Sequence, residues 1–154
     1  MDEMYAKLLE SSIRFVSFRP RSEKEFKDFL LKKLQKRKIP NGSIIDRVIF
    51  RLRELGYIDD AKFASWWVEQ RESHKPKGVR LIAWELKAKG ISLETDTRDE
   101  VSSARRAIAK KIPLWGKLPP LDRKKKIYGF LGRRGFDSEV IRRVIDGVDS
   151  GEVQ

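Results

Sequence analysis

One histidine, His74, and no cysteine stand among 154 residues, so little is available for nucleophilic or metal chemistry. Without thiols there is no disulfide framework, thiolate metal site or cysteine nucleophile. One imidazole cannot make a two-histidine metal motif, and a Ser-His-Asp triad would have to use it. It lies in Ser73-His74-Lys75-Pro76, a polar turn rich in cations, and reads as a surface histidine. Asp59 and Asp60 are neighbouring carboxylates, but they sit between Gly56-Tyr57-Ile58 and an apolar stripe, where helix capping accounts for them. No Gly-x-Gly-x-x-Gly and no Walker-type Gly-Lys-Ser or Gly-Lys-Thr occurs. The expectation is a protein that is not an enzyme, with no cofactor and no metal.

Cations are the residues left to carry function. Lys and Arg number 35 against 23 Asp and Glu, a net charge of +12. Such an excess points to a polyanion or an acidic protein surface. The excess sits at both ends: residues 1–58 are net +6, 59–103 net −1 and 104–154 net +7. Arg19-Pro20-Arg21 presents two guanidiniums around a rigid turn, suited to forked recognition of phosphate or carboxylate. Lys24 and Lys27 share one helix face, as do Lys32 and Lys36. Lys124, Lys125, Lys126, Arg133 and Arg134 form a second cluster near the other end. In the middle, Lys77, Arg80, Trp84 and Lys87 fall at i, i+3, i+7 and i+10, a basic stripe with an aromatic inside it. An indole there stacks on a base, anchors a protein contact or packs between modules, and periodicity alone leaves these open. Trp66, Trp67 and Trp115 have aliphatic neighbours and read as packing residues.

The elements that must position these groups are helical. Tyr5, Leu8, Leu9, Ile13 and Val16 mark a first stripe, stopped by Pro20. Ser22 and Glu25 form a capping box before the stripe Phe26, Phe29, Leu30, Leu34. Further stripes are Ile45–Leu55, closed by Gly56; Phe63–Val68, ended by Pro76; and Val79–Leu86, closed by Gly90. Ser92 to Glu100 is polar and weakly periodic, a loop or short helix. Val101, Ala104, Ile108 and Ile112 resume a stripe before Pro113, and two more run from Ile127 to Leu131 and from Val140 to Val148. Strand alternation is nearly absent. The longest apolar run is four residues, Leu81 to Trp84, too short to span a membrane, and Met1-Asp2-Glu3 lacks an apolar signal core. A cytoplasmic location is expected.

Related tails recur at Lys33–Ile39, Leu86–Ile91 and Leu131–Phe136, each preceded by a proline turn: Pro20, Pro76 and Pro119-Pro120. A repeat of this length predicts an all-α chain of three tandem three-helix, helix-turn-helix-like modules. The expected boundaries are 1–58, 59–103 (its third helix short or degraded) and 104–154.

These strings resemble the RecX family, bacterial regulators of the RecA recombinase. The resemblance rests on Arg19-Pro20-Arg21-Ser22-Glu23, Leu55-Gly56-Tyr57-Ile58-Asp59-Asp60, Phe63-Ala64, Arg71, Lys77-Gly78, Glu85-Leu86, Lys89-Gly90-Ile91 and Arg133-Arg134-Gly135-Phe136, in order along nearly the whole chain. It implies an elongated, curved array of modules and a non-enzymatic regulator. Such a protein binds the RecA–DNA filament, suppresses ATP hydrolysis, strand exchange and filament extension, and so modulates recombinational DNA repair. The chain departs from the family between Ile91 and Ala104, where a longer helix is usual and Leu93 to Thr97 is polar. The expected partners are the RecA filament and single- and double-stranded DNA without sequence preference, bound by a monomer. The candidate contacts are Arg19, Arg21, Lys24, Lys27, Lys32, Lys36, Arg71, Lys77, Arg80, Trp84, Lys87, Lys124, Lys125, Lys126, Arg133 and Arg134. The alternative is a general helix-turn-helix-like nucleic-acid-binding protein, for which three-helix modules and a net +12 also suffice.

Overall fold

The computed structural model describes residues 2–93 and 99–151, and all regular structure among them is helical. The helices are α1 (Asp2–Ser17), α2 (Glu23–Lys36), α3 (Ile44–Glu54), α4 (Asp60–Ser73), α5 (Val79–Ala88), α6 (Glu100–Ile108), α7 (Ile112–Trp115), α8 (Pro120–Arg133) and α9 (Ser138–Asp149). The polar stretch expected as a loop or short helix lies largely outside the described residues, and α6 begins at its end. None of the described helices is long and apolar enough to cross a membrane.

The chain groups into two compact units. The first holds residues 1–66 and 87–91, the second 67–86 and 92–154, so the divide falls inside α4 and inside α5. The core of the first unit is the inner stripe of α1–α3: Leu8, Phe26, Leu30, Leu34, Val48, Ile49 and Leu52. Phe15 lies flat on Phe29, centroids 4.2 Å apart, and meets Phe26 edge-on at 5.8 Å. Ser12, buried on α1, donates its hydroxyl to the Leu8 carbonyl at 2.8 Å, which removes the desolvation cost of hiding it.

The second unit gathers Ala104, Ile108, Trp115, Ile127, Leu131, Phe136, Ile141 and Val144 from α6–α9 and the α8–α9 turn. Trp115 is buried there, edge-on to Phe130 at 5.5 Å, the packing role its neighbours imply. Trp66 and Trp67 are only half-buried. Pro113 does not break the chain as periodicity suggests: it stands in the first turn of α7, where no intrahelical N–H is required.

The repeated tails share one local backbone feature. After α2, α5 and α8, the residues Lys38, Gly90 and Gly135 take positive φ (56°, 77° and 87°), and an apolar residue follows each. The Ile39 N–H reaches the Leu34 carbonyl at 2.9 Å and the Phe136 N–H the Leu131 carbonyl at 3.1 Å, satisfying orphan carbonyls at helix ends. Gly135 is forced for a second reason: a Cβ there would lie 2.3 Å from the Leu81 Cβ.

Candidate interaction surface

In the first unit, the capping box forms as its spacing dictates. Ser22 Oγ accepts the Glu25 N–H at 3.2 Å, and Glu25 Oε1 accepts the Ser22 N–H at 3.0 Å. Glu25 does more than cap. Arg19 closes on it at 2.5 Å, and Lys89 reaches it at 3.3 Å. Burial alone would raise the Glu25 carboxyl, but the Arg19, Ser22 and Lys89 contacts outweigh burial and hold it below its usual value. Arg19 also lies over the Trp66 ring, 6.0 Å from its centroid.

Arg21 behaves differently. Its guanidinium stacks on Phe15 at 3.9 Å, and its Nε donates to the Phe15 carbonyl at 3.1 Å. Burial, then the nearby Arg19 charge, pull its pKa below the ordinary arginine value. Asp59 caps α4 by accepting the Lys62 N–H at 3.1 Å. Asp60 instead accepts the Glu23 N–H at 2.9 Å, tying the start of α4 to the start of α2. Both carboxylates are thus engaged as structural acceptors, and among the described residues no group of three His, Cys, Asp or Glu could hold a metal ion. On the outer face of α2, Lys24 pairs with Asp28 at 3.2 Å and Lys27 with Glu23 at 3.1 Å. Lys32 and Lys36 are exposed, with no acidic partner among the described residues.

In the second unit, Arg71 and Lys77 converge on Glu85, at 2.8 and 3.3 Å. Burial raises the Glu85 carboxyl, but the two cations prevail and its pKa is lowered. Arg71 also covers the Trp67 ring at 4.5 Å. Lys77 stands before α5 rather than on it, so the predicted four-residue stripe is reduced to Arg80 and Trp84 in this unit and Lys87, which the first unit holds. Those three are exposed, and Trp84 is 69% accessible, which a core indole would not be. Arg134 donates to the Pro76 carbonyl at 3.3 Å and covers Phe130 at 4.7 Å, and its own carbonyl takes the Gly78 N–H at 2.8 Å. A Cβ on Gly78 would come within 2.1 Å of the Gly135 oxygen, so this close backbone approach requires glycine.

Lys124, Lys125, Lys126 and Arg133 of α8 are exposed. Lys125, Lys126, Arg133 and Gly129 line a shallow hollow of about 500 Å³ with Asp122 and Leu118. The fifteen candidate cations and one indole therefore differ in environment: Arg21 is stacked on Phe15, Lys24 and Lys27 pair with acids on α2, and Lys32 and Lys36 are exposed. Arg19, Arg71, Lys77 and Arg134 bond carboxylates or carbonyls inside their units. Arg80, Trp84, Lys87, Lys124–Lys126 and Arg133 face solvent. Periodicity puts the second group off the apolar stripes but leaves Trp84 open between surface and packing; the first depends on contacts made by residues distant in sequence. The exposed apolar residues Phe18, Phe50, Leu114 and Leu121, 60% accessible or more, were not legible as surface. The one signal for Phe18 was its place beyond the α1 stripe, directly before Arg19-Pro20.

Known proteins match this chain in sequence and in fold. Residues 59–95 match the family model described as RecX, second three-helix domain, and 98–145 the one described as RecX, third three-helix domain. The chain is 37% identical over 147 residues to the regulatory protein RecX of Chlorobium phaeobacteroides, covering 92% of this chain and 93% of that one. It is 32% identical to the same-named protein of Prosthecochloris aestuarii, covering 91% and 92%. Its fold matches the crystal structure of RecX from Lactobacillus salivarius with a TM-score of 0.80 at 23% identity, over 97% of this chain and 99% of that one.

Proposed function

This chain belongs to the RecX family of regulatory proteins, and from that premise we propose that it binds the RecA–DNA filament and restrains its ATPase, strand exchange and extension. The observation that carries the reading is the exposed set Arg80, Trp84 and Lys87 on α5. It offers two cations for phosphate or carboxylate and an indole with most of its area still to bury, the composition of an interaction hot spot. In this reading the segments 1–58, 59–103 and 104–154 act as modules, and the exposed lysines of α8 supply contacts to DNA phosphates. Such contacts position the protein and carry no base code. No chemistry on bound nucleotide is required of it, because a body that holds neighbouring protomers in one state opposes turnover by differential binding alone.

The test is the DNA-dependent ATPase of RecA. Substoichiometric addition of this protein is expected to lower it, and unchanged ATPase and strand exchange over a wide titration would refute the reading. Trp84→Ala is expected to change stability by no more than is usual for surface substitutions, about 0.5 kcal/mol, while weakening inhibition. A pull-down of RecA from nuclease-treated extract separates this reading from plain nucleic-acid binding: retention without DNA supports it, and total loss favours the alternative.

A further inference from the structure

The first unit contains a groove of about 620 Å³ that the regulatory reading does not use. Its walls bring together two strings far apart in sequence, Arg19-Pro20-Arg21 and Gly56-Tyr57-Ile58-Asp59, with the last turns of α1 and the first turns of α4. Ile13, Val16 and Phe63 give it an apolar interior, and Tyr57, 39% accessible, and Trp66 add aromatic surface. The rim is cationic. Arg19, Arg21 and Lys62 line it against one acid, Asp59, which already accepts the Lys62 N–H.

Arg21 is the informative member. Stacking on Phe15 and the Nε bond to the Phe15 carbonyl fix the plane of its guanidinium. Its two Nη groups donate to no carboxylate among the described residues. A held, charged fork beside an apolar groove is preorganised for a carboxylate, because the entropy of ordering the side chain is already spent in the free protein.

We infer that this groove docks an acidic segment of a protein partner, an aromatic or branched aliphatic side chain entering between Tyr57 and Phe63 while a neighbouring Asp or Glu is received by Arg21. A nucleic-acid base suits the site less well. Its polar edges would meet Ile13, Val16 and Phe63, which offer no hydrogen bonds, and a buried polar group without a partner is costly. A second copy of this chain suits it less well too. Its exposed Phe18 and Phe50 are each followed by an arginine, and its exposed Leu121-Asp122 runs directly into Arg123-Lys124-Lys125-Lys126, so each would bring like charges to the Arg19, Arg21 and Lys62 rim. The inference does not rest on the proposed regulation of a recombinase, and its test involves neither recombinase activity nor DNA turnover, so the two can fail separately.

The experiment is selection of a displayed random peptide library on the full chain, followed by anisotropy titration of the fluorescein-labelled consensus peptide. The expected consensus places an aromatic or aliphatic residue within about one helical turn or a short extended stretch of Asp or Glu. Tyr57→Ala and Arg21→Gln should each weaken the peptide about tenfold, equivalent to roughly 1.4 kcal/mol, with helical content unchanged by circular dichroism. Arg21→Glu should abolish binding and recover it when the peptide's acid is replaced by lysine. If substitution at Arg21 unfolds the chain, Lys62→Glu carries the same charge-swap test from the exposed rim. An absent or basic consensus, or binding indifferent to both Tyr57→Ala and the charge swap, overturns the inference. So does an oligothymidylate that displaces the peptide and itself loses affinity on Tyr57→Ala, which would assign the groove to nucleic acid.

Discussion

The helices α2 and α8 occupy corresponding places in the repeat and solve the same problem with different surfaces. Both are 14 residues long, both bury an apolar stripe, and both end in a left-handed residue followed by Ile39 or Phe136. α2 carries five Lys against three Asp and Glu, and two of its lysines pair with acids one turn away. α8 carries five Lys and Arg against the single Asp122. α2 starts from a reciprocal capping box, whereas α8 starts from Pro119-Pro120, whose rigid φ presets the first turn. The tails differ as well: Lys38 takes positive φ at the surface, and Gly135 takes it against Leu81. The backbone plan is thus indifferent to charge. What faces solvent is set independently of it, and the larger net positive charge belongs to α8 rather than α2.

Exchanging the tail residue breaks the comparison most sharply. Gly135→Lys makes the α8 tail like that of α2, but its Cβ would meet Leu81. A loss of roughly 3 kcal/mol is expected from crowding and strained φ together, seen as a melting midpoint lower by about 6–12 °C. A change below one degree would mean the two tails are interchangeable after all.

Neutralising charge separates the two outer faces. Lys124→Gln, Lys125→Gln and Lys126→Gln together should reduce the slope of log affinity for DNA against log salt by about 2–3. The matched triple on α2, Lys24→Gln, Lys27→Gln and Lys32→Gln, should reduce it by about 1, because two of those ammonium groups already face carboxylates. Equal reductions from salt titrations would erase the distinction.

Acid titration sharpens it further. Glu23 and Glu25 are both held below the usual carboxylate value: burial opposes ionisation, and Arg53 and Lys27 at Glu23, or Arg19 and Lys89 at Glu25, overcome it. A depressed carboxyl contributes stability above its unfolded pKa, about 4.3, and that contribution is lost as pH falls through the lower folded value. Thermal melts between neutral pH and about pH 3 should therefore lose stability on the acid side, and Glu25→Gln should flatten that loss. A parallel pH dependence in the variant would show the Glu25 cluster to be energetically idle.

The smallest effect is a gain. Lys38→Gly replaces a side chain at φ 56° with the residue that adopts this region freely, at an open surface position. Stabilisation of roughly 1 kcal/mol is expected, measurable by urea denaturation, with no change in DNA affinity beyond the loss of one cation.

Helix positions were legible in the sequence because each rests on local causes: apolar spacing, the Ser22–Glu25 box, Gly56, Gly90 and Gly135 as stops. The three related tails were legible for the same reason, since a helix end is satisfied within six residues. The displacement of Arg80, Trp84 and Lys87 off the Ile82–Leu86 stripe was legible as well, whereas the exposure of the Trp84 indole was settled only by the structure. Four features were beyond it. Glu25 gathers Arg19 from the preceding turn and Lys89 from 64 residues on, and Glu85 gathers Arg71 and Lys77. Gly78 and Gly135 meet backbone to backbone. Arg21 has its fork fixed by Phe15 beside a groove whose other wall arrives with Tyr57. Residue type and spacing determine which face of a helix is apolar and where it ends, because hydrogen bonding and burial there are settled within a turn or two. Which cations are engaged and which stand ready for a partner is decided only by packing, because an ion pair depends on distance in space, and that distance is a property of the fold.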